Sequence, residues 1–426
     1  MSGPQRGAAG VRQRVAGGRG GRAARLACAA LLILPALPAL GQDAGGLAQI
    51  TPFADETLTT DDNVFRIPNS VDPVPLIGYP ARGDTYRTTS AGITADVPVS
   101  LQRFDLSATY NGSRYDRFHE LDFDGYDLRG SWLWQVGRNL SGEVGFTDTH
   151  SLAPFAELLS VTPDHLTARE AFAKGTWLFT PDWKLYAGAD QLVQSNTDPA
   201  GLYNDVTVNS FEATLSRLNG PNDWLGLDAR FESGHFPNGE PVGTELIDNG
   251  YDQYSGGLVL DWGAATPSHL LARADQVSRR YEELPQRDFD LTTVHVEYTW
   301  TPTDKLALTG IAQRDISPYE YIRSSIVLIK GLVLRPLWHV TPTLDLSADL
   351  EWVDRNYLAD PLETLGIEPQ RDDHVYTMSA LLSYTPIRQL TVQLSAFHEQ
   401  RTSNIALGGY LADVYWLKVR LQLPIS

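Results

Sequence analysis

The sequence predicts an all-β protein: a transmembrane antiparallel β-barrel of about 18 strands, with short periplasmic turns at one end and longer extracellular loops at the other. Three observations predict it. A hairpin phrase recurs along the chain, the strands around it alternate with an extreme polar face, and no segment is apolar enough to cross a membrane as a helix.

The phrase reads YTWTPTDKLALTG from Tyr298. It returns in fragments as FTPDWKLYAG from Phe179, VTPTLDLSADL from Val340 and YTPIRQLTVQL from Tyr384. Around its first copy Val294, Val296, Tyr298 and Trp300 share one parity, while Thr293, His295, Glu297 and Thr299 share the other. That is the period of a strand with one apolar and one polar face. Proline fixes φ and lacks a backbone donor, so Thr-Pro marks a tight turn between two such strands.

Taken along the chain, short turns fall near Pro98, Gly137, Pro181, Gly220, Ala264, Pro302, Pro342 and Pro386. Longer acidic or Gly/Asn/Pro-rich connections separate them: 68–84, 117–124, 152–165, 196–202, 236–249, 282–286, the turn at Pro318, 359–370 and 403–409. Short and long connections alternate, which gives about 18 strands and puts both chain ends on the short-turn side. The loop Asn69–Asp84, with Pro73, Pro75 and Pro80, is the candidate to fold inward and plug or gate the barrel.

A soluble sandwich also alternates, but its strands usually run five or six residues. Here strands of 11 to 14 residues recur, as in TLDLSADLEW, where Leu344, Leu346, Ala348, Leu350 and Trp352 oppose Thr343, Asp345, Ser347, Asp349 and Glu351. A strand of about 10 residues tilted near 45° spans a bilayer, and lipid tolerates no open sheet edge. The barrel therefore closes, apolar parity outward. Trp132, Trp134, Trp177, Trp183, Trp224, Trp262, Trp300 and Trp338 all lie near short turns, as an aromatic girdle at one interface would.

The N-terminal 41 residues carry six arginines, no acid and an apolar run from Leu26 to Leu40, the pattern of a cleaved signal peptide (1–41) ahead of a barrel domain (42–426). The run is broken by Pro35 and Pro38 and is shorter than the roughly 20 residues of a spanning helix. Cleavage leaves 385 of the 426 residues, no cysteine, and 28 of the 34 basic side chains against all 52 acidic ones, a balance of −24. Such a chain repels nucleic acid. It implies export across the inner membrane, and its partners are outer-membrane lipid and lipopolysaccharide and the barrel-assembly machinery.

Catalytic signatures are missing: there is no GxSxG, Walker loop or HExxH. DFDG at Asp122 lacks the remaining ligands of a calcium loop. No enzyme activity, metal or cofactor is implied. The informative residues are polar or aromatic ones on the inward parity: Arg129, Lys174, Lys184, Tyr186, Asp228, Arg230, Arg273, Glu297, Asp345, Asp349, Glu351, Phe397, Trp416, Lys418 and Arg420, with the carboxylates Glu143, Asp190, Glu212, Glu232, Asp275 and Glu399 beside them. They are either salt-bridged rungs that stiffen the wall or a hydrated path in which mixed charges and rings meet a passenger.

Two further phrases, DDNVFR at Asp61–Arg66 and EQRTSNI at Glu399–Ile405, together with TPIRQLTVQLS from Thr385, resemble the exopolysaccharide-biosynthesis outer-membrane proteins of the EpsL type. The resemblance covers essentially the whole mature chain. It implies a barrel that serves export of an extracellular polysaccharide, with a polysaccharide passenger and a periplasmic export protein as partners, and it brings no catalytic residues. The alternatives are a general or small-solute porin and a plugged structural or adhesive barrel. The chain departs from the aromatic last residue common in such barrels by ending in LQLPIS.

Overall fold

The computed structural model describes residues 48–425 apart from 159, 200, 221–222, 243–244, 264–266, 318–325 and 359–369. The expected signal peptide, the turn at Pro318 and most of the 359–370 loop lie outside the described residues.

Nine strands lead away from the N-terminus: β1 (Gln49–Asp61), β2 (Asp84–Val99), β3 (Gln102–Tyr115), β4 (Phe123–Val136), β5 (Leu140–Leu152), β6 (His165–Thr180), β7 (Trp183–Asn196), β8 (Val206–Leu218) and β9 (Trp224–His235). A small hairpin, β10 (Glu240–Val242) and β11 (Glu245–Ile247), stands in the next loop. Nine more complete the ring: β12 (Tyr251–Trp262), β13 (Ser268–Tyr281), β14 (Phe289–Thr303), β15 (Leu306–Ser317), β16 (Ile326–Thr341), β17 (Leu344–Leu358), β18 (Asp372–Ile387), β19 (Leu390–Ser403) and β20 (Tyr410–Gln422). Each pairs antiparallel with its neighbours in the chain, β9 with β12 across the small hairpin, and β1 pairs with both β2 and β20. The result is a closed 18-stranded antiparallel barrel in which every strand has two partners. The seam continues past Pro424, because Ile50 and Ile425 exchange backbone hydrogen bonds of 2.9 and 2.7 Å.

The eight short connections fall at or beside the predicted positions. The repeated phrase also has a structural meaning. The ladder register slips at Leu178/Thr180, Trp300/Thr303, His339/Thr341 and Tyr384/Ile387, which are the four Thr-Pro turns. Proline cannot donate to the ladder, so the strand bulges there and closes the hairpin.

Exposure alternates along the strands and assigns the faces. Across β14–β18 the outward rows run Val296–Ala312–Leu332–Trp352–Tyr376, then Tyr298–Gly310–Leu334–Leu350–Met378, then Trp300–Leu308–Pro336. Strands of 12 to 16 residues overshoot this apolar belt on the loop side. There the outward residues form ion pairs: Arg114–Asp124 (2.7 Å), Arg169–Asp148 (3.1 Å) and Arg280–Asp290 (2.8 Å). On the turn side the outer face carries Trp132, Trp134, Trp177, Trp183, Trp262, Trp300 and Trp338. Trp224 is the exception. In β9 the exposed parity belongs to Leu225 and Leu227, so Trp224 turns inward, and the Lys184 ammonium sits 3.8 Å above its ring.

Candidate functional site

All fifteen predicted residues lie on the parity opposite the exposed apolar rows, spread over nine strands, so they form a lining and not a single centre. Most are tied into rungs. Glu143 on β5 lies between Arg129 of β4 (3.3 Å) and Lys174 of β6 (3.0 Å), and both cations also face the Phe172 ring. Arg230 pairs with Glu232 (3.3 Å) and donates to Ser210, while Tyr186 donates its hydroxyl hydrogen to Glu212. Asp349 accepts from Arg335 at 2.7 Å and Asp345 pairs with His339 at 2.7 Å. Arg420 reaches Asp55 at 3.4 Å and lies 3.9 Å over the Phe53 ring, close to the seam.

The tightest rung crosses β9, β12 and β13. Asp228, Gly257 and Asp275 stand in register, and Arg273 bonds to both carboxylates. A Cβ at Gly257 would fall 1.9 Å from the Ala274 carbonyl oxygen, so only glycine lets the two acids approach. Glu297, Glu351 and Lys418 make no ion pair within 4 Å among the described residues. Phe397 and Trp416 face inward beside Ser379 and Ser395 of the neighbouring strands. Also among the described residues, no group of three or more His, Cys, Asp or Glu is arranged to hold a metal.

The loop-side mouth is where the structure adds most. Asp61–Arg66 begins the β1–β2 loop. The Arg66 guanidinium bonds both oxygens of Asp61 at 2.9 Å, from a backbone with φ of 56°. For a non-glycine residue that conformation costs on the order of 1–3 kcal/mol and persists only where the surroundings enforce it. Asn63 enforces it by bonding Ile67 through its amide on both sides (2.9 Å each) and the Leu411 carbonyl at 2.8 Å. This turns Val64, Phe65 and Ile67 into a buried cluster with Phe118 and Leu121 of the β3–β4 loop and Phe155 of the β5–β6 loop. Phe65 packs 4.9 Å edge-on to Phe118 and 4.7 Å from Phe155. Asp84 fixes the β3–β4 loop by accepting from the backbone N–H groups of Arg117 (3.0 Å) and Phe118 (2.9 Å).

The second phrase meets the first here. Glu399 accepts from the Tyr410 hydroxyl, both within electrostatic reach of Arg66, and Arg401 donates to the Ala156 carbonyl at 2.6 Å. The segment that reaches across the mouth is therefore the β5–β6 turn, seated on Val64–Ile67. In the expected plug, Asn69–Asp84, Val71 and Ile77 pack against the cluster and Tyr79 meets Phe118 edge-on at 5.5 Å, while Val74 and Leu76 are exposed. The sequence signal that could have found this was an apolar word in each of three loops: VFRI at Val64, FHEL at Phe118 and APFAELL at Ala153.

No family model matches the chain, and no curated protein is similar to it in sequence. Among solved structures it is similar to Pseudomonas aeruginosa OccK2 (OpdF), at 13% identity and a TM-score of 0.49 over 89% of this chain and 98% of that one. Acinetobacter baumannii OccAB3 gives 8% identity and a TM-score of 0.47 over 89% and 99%. The alcaligin receptor FauA of Bordetella pertussis gives 14% and 0.42 over 87% and 76%. The strand pairing, and not these distant likenesses, fixes the fold. A closed ring of tilted, apolar-faced strands with an aromatic belt on one side and a polar rim on the other defines an outer-membrane β-barrel protein.

Proposed function

We propose that the barrel is a passive channel for small hydrophilic solutes, without catalysis or cofactor. One observation carries this reading: the β5–β6 turn is tied to β19, a third of the way around the ring, through Arg401 and Ala156 over a floor of Phe65, Phe118 and Phe155. In porins 16 to 18 strands leave an aqueous channel. A loop drawn across the mouth reduces that opening, which suits single sugars or ions better than a polymer strand. The rungs of mixed sign then supply the polar contacts along the way.

A second reading, service in polysaccharide export, is favoured by one observation. The two phrases that resemble the EpsL type both build the mouth, where a polymer would leave. The two readings part in a deletion strain. A small-solute channel predicts slower uptake of sugars or ions with secreted polymer unchanged. An exporter predicts loss of secreted polymer with fragments held in the periplasm, and Ser395→Trp, which narrows the lumen from its inward face, would lower export in a folded barrel. Normal solute uptake in the deletion strain would overturn the first reading, and normal polymer secretion the second.

A further inference from the structure

The outer face of the barrel is not evenly filled. On β15 the outward positions Gly310 and Ala312 lie between Val296 of β14 and the ridge formed by Leu332, Leu334 and Trp352, leaving a groove of about 410 Å³. It runs toward the loop side into a second depression of about 300 Å³, bounded there by Arg314 and Lys330. These two cations stand directly opposite one another on β15 and β16. Like charges in that position repel. Among the described residues neither has a carboxylate within 4 Å. Asp354, the acid opposite Lys330, is engaged by His374, and Arg314 reaches only the Thr292 carbonyl. The groove is apolar at bilayer depth and cationic where the apolar belt ends.

We propose that this groove binds a phosphorylated, acylated lipid of the outer leaflet, with a phosphate between Arg314 and Lys330 and acyl chain along Gly310 and Ala312. A phosphate between them offsets the repulsion that the pairing of β15 with β16 imposes, and an acyl chain fills the space left by the missing side chain of Gly310. Charge selects this occupant over a second copy of the chain, because the outward carboxylates that a copy would offer from these pairs, Asp124, Asp148 and Asp290, are each engaged by an arginine of their own chain.

The test uses the purified full-length barrel, native mass spectrometry and bisphosphorylated, hexa-acylated lipid A as probe. Wild type should hold one tightly bound lipid that inorganic phosphate does not displace. Arg314→Ala with Lys330→Ala should weaken retention about thirtyfold, the combined effect of two basic contacts to an anionic head group. Gly310→Leu should also release the lipid by filling the groove. A Cβ at Gly310 meets nothing within 4 Å, so the barrel accommodates the change, and a heat-modifiable band on gels verifies folding. Undiminished retention in the double alanine variant would overturn the proposal. So would displacement by inorganic phosphate alone, or a lipid-free oligomer that Gly310→Leu dissociates, which would assign the groove to a second copy.

Discussion

Arg401 on β19 donates from Nη1 to the backbone carbonyl of Ala156, 2.6 Å away, although β19 and β5 are six strand steps apart around the ring of 18. That is a third of the circumference, so the bond holds a loop across the mouth and not along its rim. The same guanidinium lies 4.8 Å from the Tyr410 ring, within the network that Glu399 and Asp373 complete.

Arg401→Ala should therefore loosen the β5–β6 turn while leaving the wall folded, because Arg371 also bonds the buried Asp373 and keeps that carboxylate paired. A hydrogen bond from a charged donor is worth about 1.5–3 kcal/mol, enough to shift a closed loop toward an open one. Single-channel recording should show larger conductance and more open-state noise, with heat-modifiability on gels unchanged. Arg401→Lys should fall between, because an ammonium lacks the planar fork that serves the carbonyl and the acid together. Identical currents in wild type and Arg401→Ala would remove the loop from any gating role.

The floor beneath that turn makes a separate prediction. Phe65 is 4% exposed and touches the rings of Phe118 and Phe155, so Phe65→Ala should cost the loop cluster about 3–5 kcal/mol. The 18 strand pairings do not depend on it. Segments 62–83 and 153–164 should become sensitive to added protease while the thermal transition of the barrel barely moves. Loops that stay protected in this variant would show that the cluster does not hold the mouth.

The wall was legible in the sequence and the mouth was not, for a physical reason. A strand in a membrane must repeat apolar and polar residues with period two, and each hairpin must stop with Pro or Gly, so turns near Gly137 and Pro181 and the parity of Asp349 against Leu346 follow from spacing. Trp224 escaped because turn proximity was used to place it, whereas the facing of Leu225 and Leu227 decides. The union of Phe65, Phe118 and Phe155 joins three loops without periodicity, and only the closed ring brings them together. The two phrases at Asp61 and Glu399 were visible as words, but their contact through Arg66, Asn63 and Leu411 depends on the β1–β20 seam.

Parity yields a comparison within one strand. Leu346 faces outward between Trp338 and Leu382, and Asp349 faces the lumen, bonded to Arg335 at 2.7 Å. An arginine on the lipid face near mid-bilayer costs about 2–4 kcal/mol, falling toward the interface. The Asp349–Arg335 pair is solvated, and such pairs are worth about 1 kcal/mol or less. Leu346 is level with Trp338 of the aromatic belt, so Leu346→Arg should cost only the interfacial share, whereas Leu350→Arg, deeper in the same outward parity, should sharply lower the folded fraction in a liposome-folding titration. Asp349→Arg should fold and shift the reversal potential toward anions. Equal folding defects in Leu350→Arg and Asp349→Arg would contradict the assignment of faces.

The rung at Asp228, Gly257 and Asp275 supports the last prediction. The side chains of Asp228 and Asp275 are 4% and 7% exposed, and Arg273 is the cation bonded to both. Removing one partner of a buried charge group costs about 3–5 kcal/mol, because the remaining charges lose compensation, whereas replacing the whole group is often neutral. Arg273 is itself 37% exposed, so the lower end of that range applies. Arg273→Met should thus lower the urea midpoint of the folded barrel clearly. The triple variant Asp228→Asn, Arg273→Met, Asp275→Asn should recover most of the loss, since two amides can pair with each other and with lumen water. The same pair of variants separates structure from transport: if the rung only stiffens the wall, the triple variant restores stability and solute flux together. If Asp228, Arg273 and Asp275 contact the passenger, stability returns while flux of charged solutes stays altered. A midpoint unmoved by Arg273→Met would mean that water already solvates both acids, and the rung would then not stabilise the wall.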